Sequence, residues 1–261
     1  MPTFALREGP LHYLDVGAGP PLVLLHGWPV SSVYWRLNLP GLSEHFRVLA
    51  VDLPGFGCSF APAAGSAIPD QARRIAEFLV GLGVGPASVL GHSMGGMIGA
   101  RLAASEPALV HKLVLLAAAL EGPTALSPLG MMGRFGWCRL VASWLLRRRS
   151  LMRAAAPWFA HACDVPEEIL EVAGQGQPAC VRSALASLTH DCRREDLQTV
   201  VCPTLVLAAD RDRVVHPLQA LLARGWIRDS RVQVFRDCGH CPNLEYPALF
   251  EEWVVRFLTG A

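Results

Sequence analysis

Ser93 is the residue of this sequence whose surroundings best suit nucleophilic chemistry. A strand-like aliphatic run precedes it, a helical pattern follows it, and it stands at the centre of Gly91-His92-Ser93-Met94-Gly95. Glycines suit a sharp strand-to-helix turn, because Cβ atoms at those positions would collide with neighbouring backbone. The pattern predicts that the Ser93 hydroxyl projects at the carboxyl end of a sheet. A serine that only caps the helix after a glycine-rich turn is the alternative.

A serine hydroxyl needs a histidine base, and that histidine needs a carboxylate to orient it. Of nine histidines, His240 is the candidate, because it follows the last predicted strand in a loop where Gly239 gives freedom to present the ring. Asp210 and Asp212 both follow the preceding predicted strand. We take Asp212 as the acid because it lies further into the turn. Asp210 is kept as the second candidate, and its other role would be to cap the turn.

Hydrolysis also needs hydrogen-bond donors for the oxyanion that develops in the transition state. The backbone amide of Met94, at the start of the helix after the nucleophile, is one candidate donor. The amide of Trp28 is the other, because Gly27 before it allows a close approach of the backbone. The Trp28 side chain is a candidate wall of an acyl pocket, with plain packing as the alternative.

The string Cys238-Gly239-His240-Cys241 matches the Cys-x-x-Cys pattern of dithiol oxidoreductases. Such motifs begin a helix, whose dipole lowers the thiol pKa. Here a predicted strand and a loop surround the motif, so a redox role is not favoured. A zinc site is not favoured either, because no second ligand pair at finger spacing is present. With no export signal in the sequence, the eight cysteines are expected to be reduced.

The elements around these residues alternate between strands and helices, which is typical of an α/β fold with a parallel sheet. Unbroken aliphatic runs predict strands that are buried on both faces. The predicted strands cover residues 22–25, 47–51, 87–90, 112–118, 204–208 and 232–235. Helical apolar spacing covers residues 69–82, 97–105, 217–226 and 246–258.

Residues 120–195 contain no strand-like run and predict a series of short helices, punctuated by Pro123, Pro128, Pro157, Pro166 and Pro178. We interpret this segment as a helical cap inserted into a core domain formed by residues 1–119 and 196–261. Its large apolar side chains are candidates for lining a pocket or for packing the cap onto the core: Met131, Met132, Phe135, Trp137, Trp144, Trp158 and Phe159. The run from Arg147 to Arg149 is typical of a solvated helix end, with contact to an anionic substrate or a membrane as the alternative.

The composition limits the possible partners. The 261 residues include 23 basic and 22 acidic side chains, a balance that does not suit binding to nucleic acid. No run approaches the ~18 apolar residues of a membrane span, so membrane contact would be peripheral. The first ten residues lack the apolar stretch of a secretory signal, and we expect a cytoplasmic protein.

Five strings in this order resemble the α/β-hydrolase fold superfamily over nearly the whole chain. They are His26-Gly27-Trp28-Pro29, Asp52-Leu53-Pro54-Gly55-Phe56-Gly57-x-Ser59, Gly91-His92-Ser93-Met94-Gly95-Gly96, Asp212-x-x-Val215 and Gly239-His240-x-Pro242-x-x-Glu245. Within the superfamily the chain is similar to carboxylesterases with a helical cap, among them the biotin-pathway methyl esterase, whose oxyanion-loop tryptophan resembles Trp28. The spacing from Asp212 to Val215 is the second reason for preferring Asp212 as the acid.

This resemblance implies an eight-stranded, mostly parallel sheet flanked by helices, and a Ser-His-Asp mechanism with no cofactor and no metal. It makes Asp52 a turn-former without a catalytic role. We expect a small-molecule carboxylic ester or thioester substrate with a mainly apolar acyl group. A carbon–carbon bond hydrolase or cofactor-free lyase with the same triad is the first alternative. A non-catalytic ligand-binding protein on the same fold is the second.

Overall fold

A computed structural model describes residues 2–118, 120, 135–191 and 194–260. Its strands form one eight-stranded sheet in the order β1-β2-β4-β3-β5-β6-β7-β8. In chain order they are β1 Thr3–Leu6, β2 Gly9–Val16, β3 Pro21–Leu25, β4 Arg47–Val51, β5 Ala87–His92, β6 Val110–Leu116, β7 Thr204–Ala209 and β8 Ser230–Phe235. Strands β3 to β8 pair in parallel, whereas β1–β2 and β2–β4 pair antiparallel. The mostly parallel sheet of the α/β-hydrolase expectation is therefore confirmed.

The six predicted strands are all present, and their aliphatic side chains separate the core into two layers. In β3, Val23 and Leu25 belong to one layer, while Leu22 and Leu24 belong to the other. Every one of these four side chains is fully buried, as expected when helices cover both faces of a sheet.

Helices cover both faces of this sheet. The described helices of the core are α1 Leu39–Ser43, α2 Ile68–Leu82, α3 Met94–Ser105, α9 Leu218–Trp226, α10 Pro242–Glu245 and α11 Pro247–Thr259. Buried residues of α2, α3 and α9 join the layer of Val23, and those of α1 and α11 join the layer of Leu22. Helix α2 has a proline in its first turn and ends at Gly83, which adopts φ +66° and donates its N–H to carbonyls of the last turn.

Between β6 and β7 the described chain is helical, as the sequence predicts. The helices are α4 Gly136–Leu145, α5 Arg149–Phe159, α6 Glu167–Ala173, α7 Pro178–Ser187 and α8 Arg194–Gln198. Pro157 lies inside α5 and does not end it, contrary to its expected role as a breaker. Pro123, Pro128, Met131, Met132 and Cys192 lie outside the described residues.

Two hydroxyls of α7 connect this helical segment to the core. Ser183 Oγ accepts the backbone N–H of Ser66 at 2.6 Å, and Ser187 Oγ accepts that of Ile68 at 2.7 Å. Helix α7 is thereby fixed to the start of α2. Among the described helices, none has the length and the apolar character needed to cross a bilayer.

Candidate active site

Ser93 occupies a sharp turn between the last residue of β5 and the first residue of α3. Its backbone has φ 51° and ψ −113°, a conformation that non-glycine residues rarely adopt. The Ser93 N–H donates to the carbonyl of Leu116 at 2.8 Å, which fixes the turn against β6. A Cβ atom on Gly91 would collide with the backbone of Gly95, and one on Gly95 with the carbonyl of Leu25. Both glycines are therefore required by the turn.

Asp212 and His240 are in direct contact at the carboxyl ends of β7 and β8. Asp212 Oδ2 lies 2.8 Å from His240 Nδ1, and both side chains are buried. The other carboxylate oxygen, Oδ1, accepts the backbone N–H groups of Val214 and Val215 at 2.7 and 2.8 Å. These two bonds explain the spacing from Asp212 to Val215, because the turn itself orients the carboxylate toward the histidine.

Asp210 does not contact His240. Its Oδ1 accepts the backbone N–H of Cys238 at 3.3 Å, and its Oδ2 lies 3.9 Å from the guanidinium of Arg236. The geometry thus separates the two acidic candidates: Asp212 contacts the histidine, and Asp210 connects the turn after β7 to the loop after β8.

Ser93 directly follows His92, whose ring packs against that of His240. In the described part of the chain no hydrogen bond joins the Ser93 hydroxyl to His240. The neighbouring His92 places its ring centroid 4.8 Å from that of His240, and its Nε2 donates to the His240 carbonyl at 2.9 Å. Catalytic hydrogen bonds are often long in ligand-free enzymes and shorten when substrate binds.

The two expected oxyanion donors belong to the helix that follows Ser93 and to the loop after β3. Met94 is the first residue of α3, and Trp28 follows Gly27 in the loop after β3. A Cβ atom on Gly27 would lie 2.7 Å from His92 Nδ1 and 3.3 Å from Ser93 Cβ, so glycine lets this loop approach the serine. Neither amide donates to a protein acceptor in the described residues. Both N–H groups are thus free to bind an anionic oxygen.

A narrow apolar cavity of about 60 Å³ lies between this loop and the helices that follow β6. His92 and His240 form its polar wall, and the apolar lining includes Trp28, Met152, Phe159, Val165, Ile169 and Leu170. The Trp28 indole Nε1 also donates to the Val181 carbonyl of α7 at 3.0 Å. Trp28 therefore both forms a wall and connects the loop to α7.

Of the described aromatic residues predicted to line a pocket or to pack, one lines the cavity, and Trp158 lies against Arg213 of the core. Phe159 lines the cavity, whereas the side chains of Phe135, Trp137, Trp144 and Trp158 are all more than half exposed. The cavity is instead completed by smaller aliphatic side chains of α5 and α6, which no sequence pattern singled out.

Glu245 holds the loop that carries His240, a role that the sequence did not reveal. It is 9% exposed, and its carboxylate accepts the N–H of Gly239 at 2.9 Å and that of Cys241 at 3.4 Å. It also accepts the N–H groups of His161 and Ala162 at 2.8 and 2.7 Å. Glu245 therefore joins the histidine loop to the end of α5. Its place in the string that begins at Gly239 was the available signal.

His92 and Tyr34 form a second support for this loop. Their rings stack with centroids 4.6 Å apart, and the Tyr34 hydroxyl donates to Asn243 Oδ1 at 2.7 Å. Burial, together with the neighbouring His240, holds the pKa of His92 well below its ordinary value. A neutral His92 suits a supporting role beside His240.

The thiols on either side of His240 are unsuited to redox chemistry. Cys238 and Cys241 are free and buried, and burial raises the pKa of both thiols. Glu245 raises these pKa values further through its negative charge. A dithiol catalyst needs the opposite environment, one that stabilises the thiolate.

One potential metal-ligand cluster occurs among the described residues, formed by His12, Asp52 and Cys58. The Asp52 carboxylate is already occupied by the N–H groups of Ser32 and Cys58, at 2.7 and 2.9 Å, and by His12 Nδ1 at 2.9 Å. These contacts close the turn after β4, in agreement with the turn-forming role implied for Asp52.

Comparison with known proteins agrees with this fold. Residues 22–253 match the model of the Alpha/beta hydrolase family, and the chain belongs to that family. It is 28% identical to a pimeloyl-[acyl-carrier protein] methyl ester esterase of Nitrosospira multiformis, over 95% of this chain and 97% of the relative. It is 30% identical to a 2-hydroxy-6-oxononadienedioate/2-hydroxy-6-oxononatrienedioate hydrolase of Burkholderia vietnamiensis, over 95% of this chain and 90% of the relative.

Solved structures give the same result for the fold. A hydrolase from Pseudomonas aeruginosa PA01 superimposes with a TM-score of 0.85 at 27% identity, covering 98% of this chain and 97% of that one. The chain is therefore a hydrolase of the α/β family, and its relatives include a methyl ester esterase and a 2-hydroxy-6-oxononadienedioate/2-hydroxy-6-oxononatrienedioate hydrolase.

Proposed function

We propose that this protein is a serine hydrolase that cleaves a carboxylic ester or thioester with a mainly apolar acyl group. The contact between Asp212 and His240 carries the proposal, together with the strained turn at Ser93, whose neighbour His92 packs against His240. In this scheme Ser93 is the nucleophile, His240 the base and Asp212 the acid that orients the base. The amides of Trp28 and Met94 bind the oxyanion.

The reaction follows from these assignments. Ser93 Oγ attacks the carbonyl carbon while His240 Nε2 takes the hydroxyl proton, and the negative charge on the carbonyl oxygen is stabilised by the two amides. The tetrahedral intermediate collapses when His240 returns the proton to the leaving alcohol or thiol, and an acyl-enzyme remains. Water then loses a proton to His240, attacks the acyl carbon, and releases the acid with regeneration of Ser93.

We also propose that residues 120–195 act as a cap that sets acyl specificity. The support is the cavity wall, since Met152, Phe159 and Leu170 belong to helices of this segment. The cavity of about 60 Å³ is far smaller than the ~300–1,000 Å³ of typical ligand pockets. A cavity this small is expected to select substrates by the size of the acyl group. A cytoplasmic location is also part of the proposal, because free thiols are typical of proteins in that reducing compartment.

Labelling with a fluorophosphonate tests the nucleophile directly. Mass spectrometry of the labelled, folded protein should place the adduct on Ser93, and Ser93→Ala should abolish both the adduct and ester turnover. Ser230→Ala, a substitution on β8 away from the site, is the matched control and should leave both unchanged. An adduct on another serine, or turnover that survives Ser93→Ala, would refute the assignment.

Carbon–carbon bond hydrolysis is the second candidate, because the relatives include such hydrolases at 30% identity with nearly full coverage. The same triad serves both reactions, so only substrates discriminate between them. Nitrophenyl esters of increasing acyl length should be compared with vinylogous 1,5-diketones. We expect turnover of the esters; turnover of the diketones alone would replace the ester proposal with the second candidate.

A further inference from the structure

Helix α4 turns its apolar side toward solvent. Trp137, Leu140, Val141 and Trp144 follow one another at intervals that place them on one face of a helix. Their side chains are 68%, 57%, 47% and 55% exposed, respectively. The buried residues of α4 are small, namely Ala142 and Ser143. This arrangement is the reverse of an ordinary surface helix, which buries its apolar stripe.

The apolar stripe continues beyond the helix. Phe135, directly before α4, is 52% exposed, and Leu151 in the first turn of α5 is 43% exposed. Contiguous exposed apolar surface on a soluble domain marks a site of contact with a partner or a membrane. Trp137 and Trp144 lie at the two ends of the part of the stripe on α4. Tryptophan favours an interface that is apolar on one side and hydrated on the other, because its ring is amphipathic.

The charge of this region indicates what it contacts. Residues 122–163 contain six arginines and no aspartate or glutamate, in a chain whose net charge is only +1. Arg147 and Arg148, which directly follow α4, are both exposed, and the Arg148 guanidinium lies 4.5 Å above the Trp144 ring. Arg149 and Arg153 pair with glutamates of α6. Arg147 and Arg148 are therefore cations adjacent to the apolar stripe that no acidic residue of the described chain neutralises.

We propose that this face binds peripherally to an anionic lipid surface. The face, which we call the α4 face, consists of Phe135, Trp137, Leu140, Val141, Trp144, Arg147 and Arg148. An aromatic and aliphatic stripe bordered by arginines is the pattern of helices that lie in the membrane interface, with the apolar side among the acyl chains and the cations at the headgroups. The proposal does not require catalysis and is independent of the role of Ser93.

A second copy of the chain fits this face less well. Pairing of two identical faces about a two-fold axis would bring the arginines of both copies close together, without acidic residues on the face to neutralise them. An anionic lipid surface supplies the missing charge. Helix α4 packs against α7, whose Val181 carbonyl holds Trp28, so the α4 face is one helix away from the wall of the cavity.

Vesicle flotation tests the proposal, with Ser93→Ala as the background so that lipid hydrolysis cannot interfere. We expect binding to phosphatidylcholine vesicles that contain about 30 mol% phosphatidylglycerol, weak binding to phosphatidylcholine alone, and a blue shift of tryptophan emission on binding. The double substitution Trp137→Ser and Trp144→Ser should weaken binding about tenfold or more. Arg147→Glu with Arg148→Glu should remove the preference for phosphatidylglycerol.

Matched control variants exist on α9 and directly after it. Leu218→Ser with Leu221→Ser removes side chains of comparable exposure, 53% and 56%, and should leave vesicle binding unchanged. Arg224→Glu with Arg228→Glu is the control for charge. Failure to float with anionic vesicles, or equal loss in the α9 controls, would overturn the proposal. A wild-type dimer in light scattering that becomes monomeric in the tryptophan variant would also overturn it, because a second copy would then be the occupant.

Discussion

Asp212 Oδ2 lies 2.8 Å from His240 Nδ1, while Asp210, two residues earlier, contacts the same loop through the backbone N–H of Cys238 and the guanidinium of Arg236. If Asp212 orients the base, Asp212→Asn should lower kcat by about 10²–10⁴-fold, because an amide can hold the ring in the wrong tautomer. Asp210→Asn should change kcat by less than about tenfold. Steady-state kinetics on a nitrophenyl ester, with circular dichroism to confirm folding, compares the two variants. A larger loss in Asp210→Asn would exchange their roles.

The carboxylate of Glu245 accepts four backbone N–H groups, so its replacement by glutamine tests the support of the histidine loop. Glutamine has one acceptor oxygen and directs its NH₂ group toward backbone donors, which leaves buried groups unsatisfied. We expect Glu245→Gln to lower the free energy of unfolding by about 1–3 kcal/mol.

The same variant should lower kcat more than it changes KM, because the displaced group is the base rather than the substrate pocket. Glu252→Gln, an exposed substitution on α11, is the control and should affect neither stability nor turnover. Urea unfolding and ester kinetics provide the two measurements. Equal stability of Glu245→Gln and Glu252→Gln would show that the four hydrogen bonds do not support the loop.

Local sequence patterns predicted much of the fold, but they did not predict the long-range contacts that hold the site together. Six strands were predictable because unbroken aliphatic runs are typical of strands buried on both faces. The strand-to-helix turn at Ser93 was predictable because Gly91 and Gly95 are sterically required there. Strands β1 and β2 were not predicted, since β2 mixes exposed and buried residues without a regular alternation.

Glu245 and His92 were missed for a different reason. Glu245 binds backbone groups 84 and 83 positions earlier in the chain, and His92 binds a carbonyl 148 positions later. No local spacing encodes such contacts. The exposed stripe of α4 was missed because periodicity predicts an apolar face but does not say whether that face points to the core or to solvent.

The strand-to-helix turn at Ser93 makes a sharp prediction about glycine. A Cβ atom on Gly95 would collide with the backbone at the end of β3, so Gly95→Ala should lower the free energy of unfolding by about 3 kcal/mol or abolish folding. A Cβ atom on Gly225 in α9 would meet nothing within 4 Å, and Gly225→Ala should be neutral or stabilising by about 0.5–1 kcal/mol. Thermal and urea unfolding of both variants measures the two effects. Comparable stabilities of the two variants would refute the steric argument for the turn at Ser93.

The buried thiols near His240 should resist alkylation. Because burial raises the pKa of Cys238 and Cys241, little thiolate exists at about pH 8 and reaction with iodoacetamide should be slow. Exposed Cys58 should react first, and both buried thiols should react only after unfolding. Peptide mapping after timed alkylation distinguishes the sites. Rapid labelling of Cys241 in the folded protein would contradict the assigned environment and reopen the redox interpretation.

Glu8 links stability to pH. Hydrogen bonds from Arg74 and Arg73 lower the pKa of Glu8 from 4.5 to about 2, and the Arg74 side chain is 1% exposed. Since the folded pKa is below the unfolded one, the stabilisation is complete above about pH 4.5 and is lost as the pH falls toward about 2.

Glu8→Gln should therefore lower the melting temperature at neutral pH, because it leaves the buried Arg74 guanidinium without its ionised partner. The difference in melting temperature between wild type and variant should become smaller as the pH falls below about 4.5, because protonation of Glu8 then removes its stabilising effect on the folded state. Glu44→Gln, at an exposed position after α1, should show no such difference. Melting curves between about pH 7 and pH 3 measure all three proteins, and a difference that stays constant with pH would exclude the ion pair as its cause.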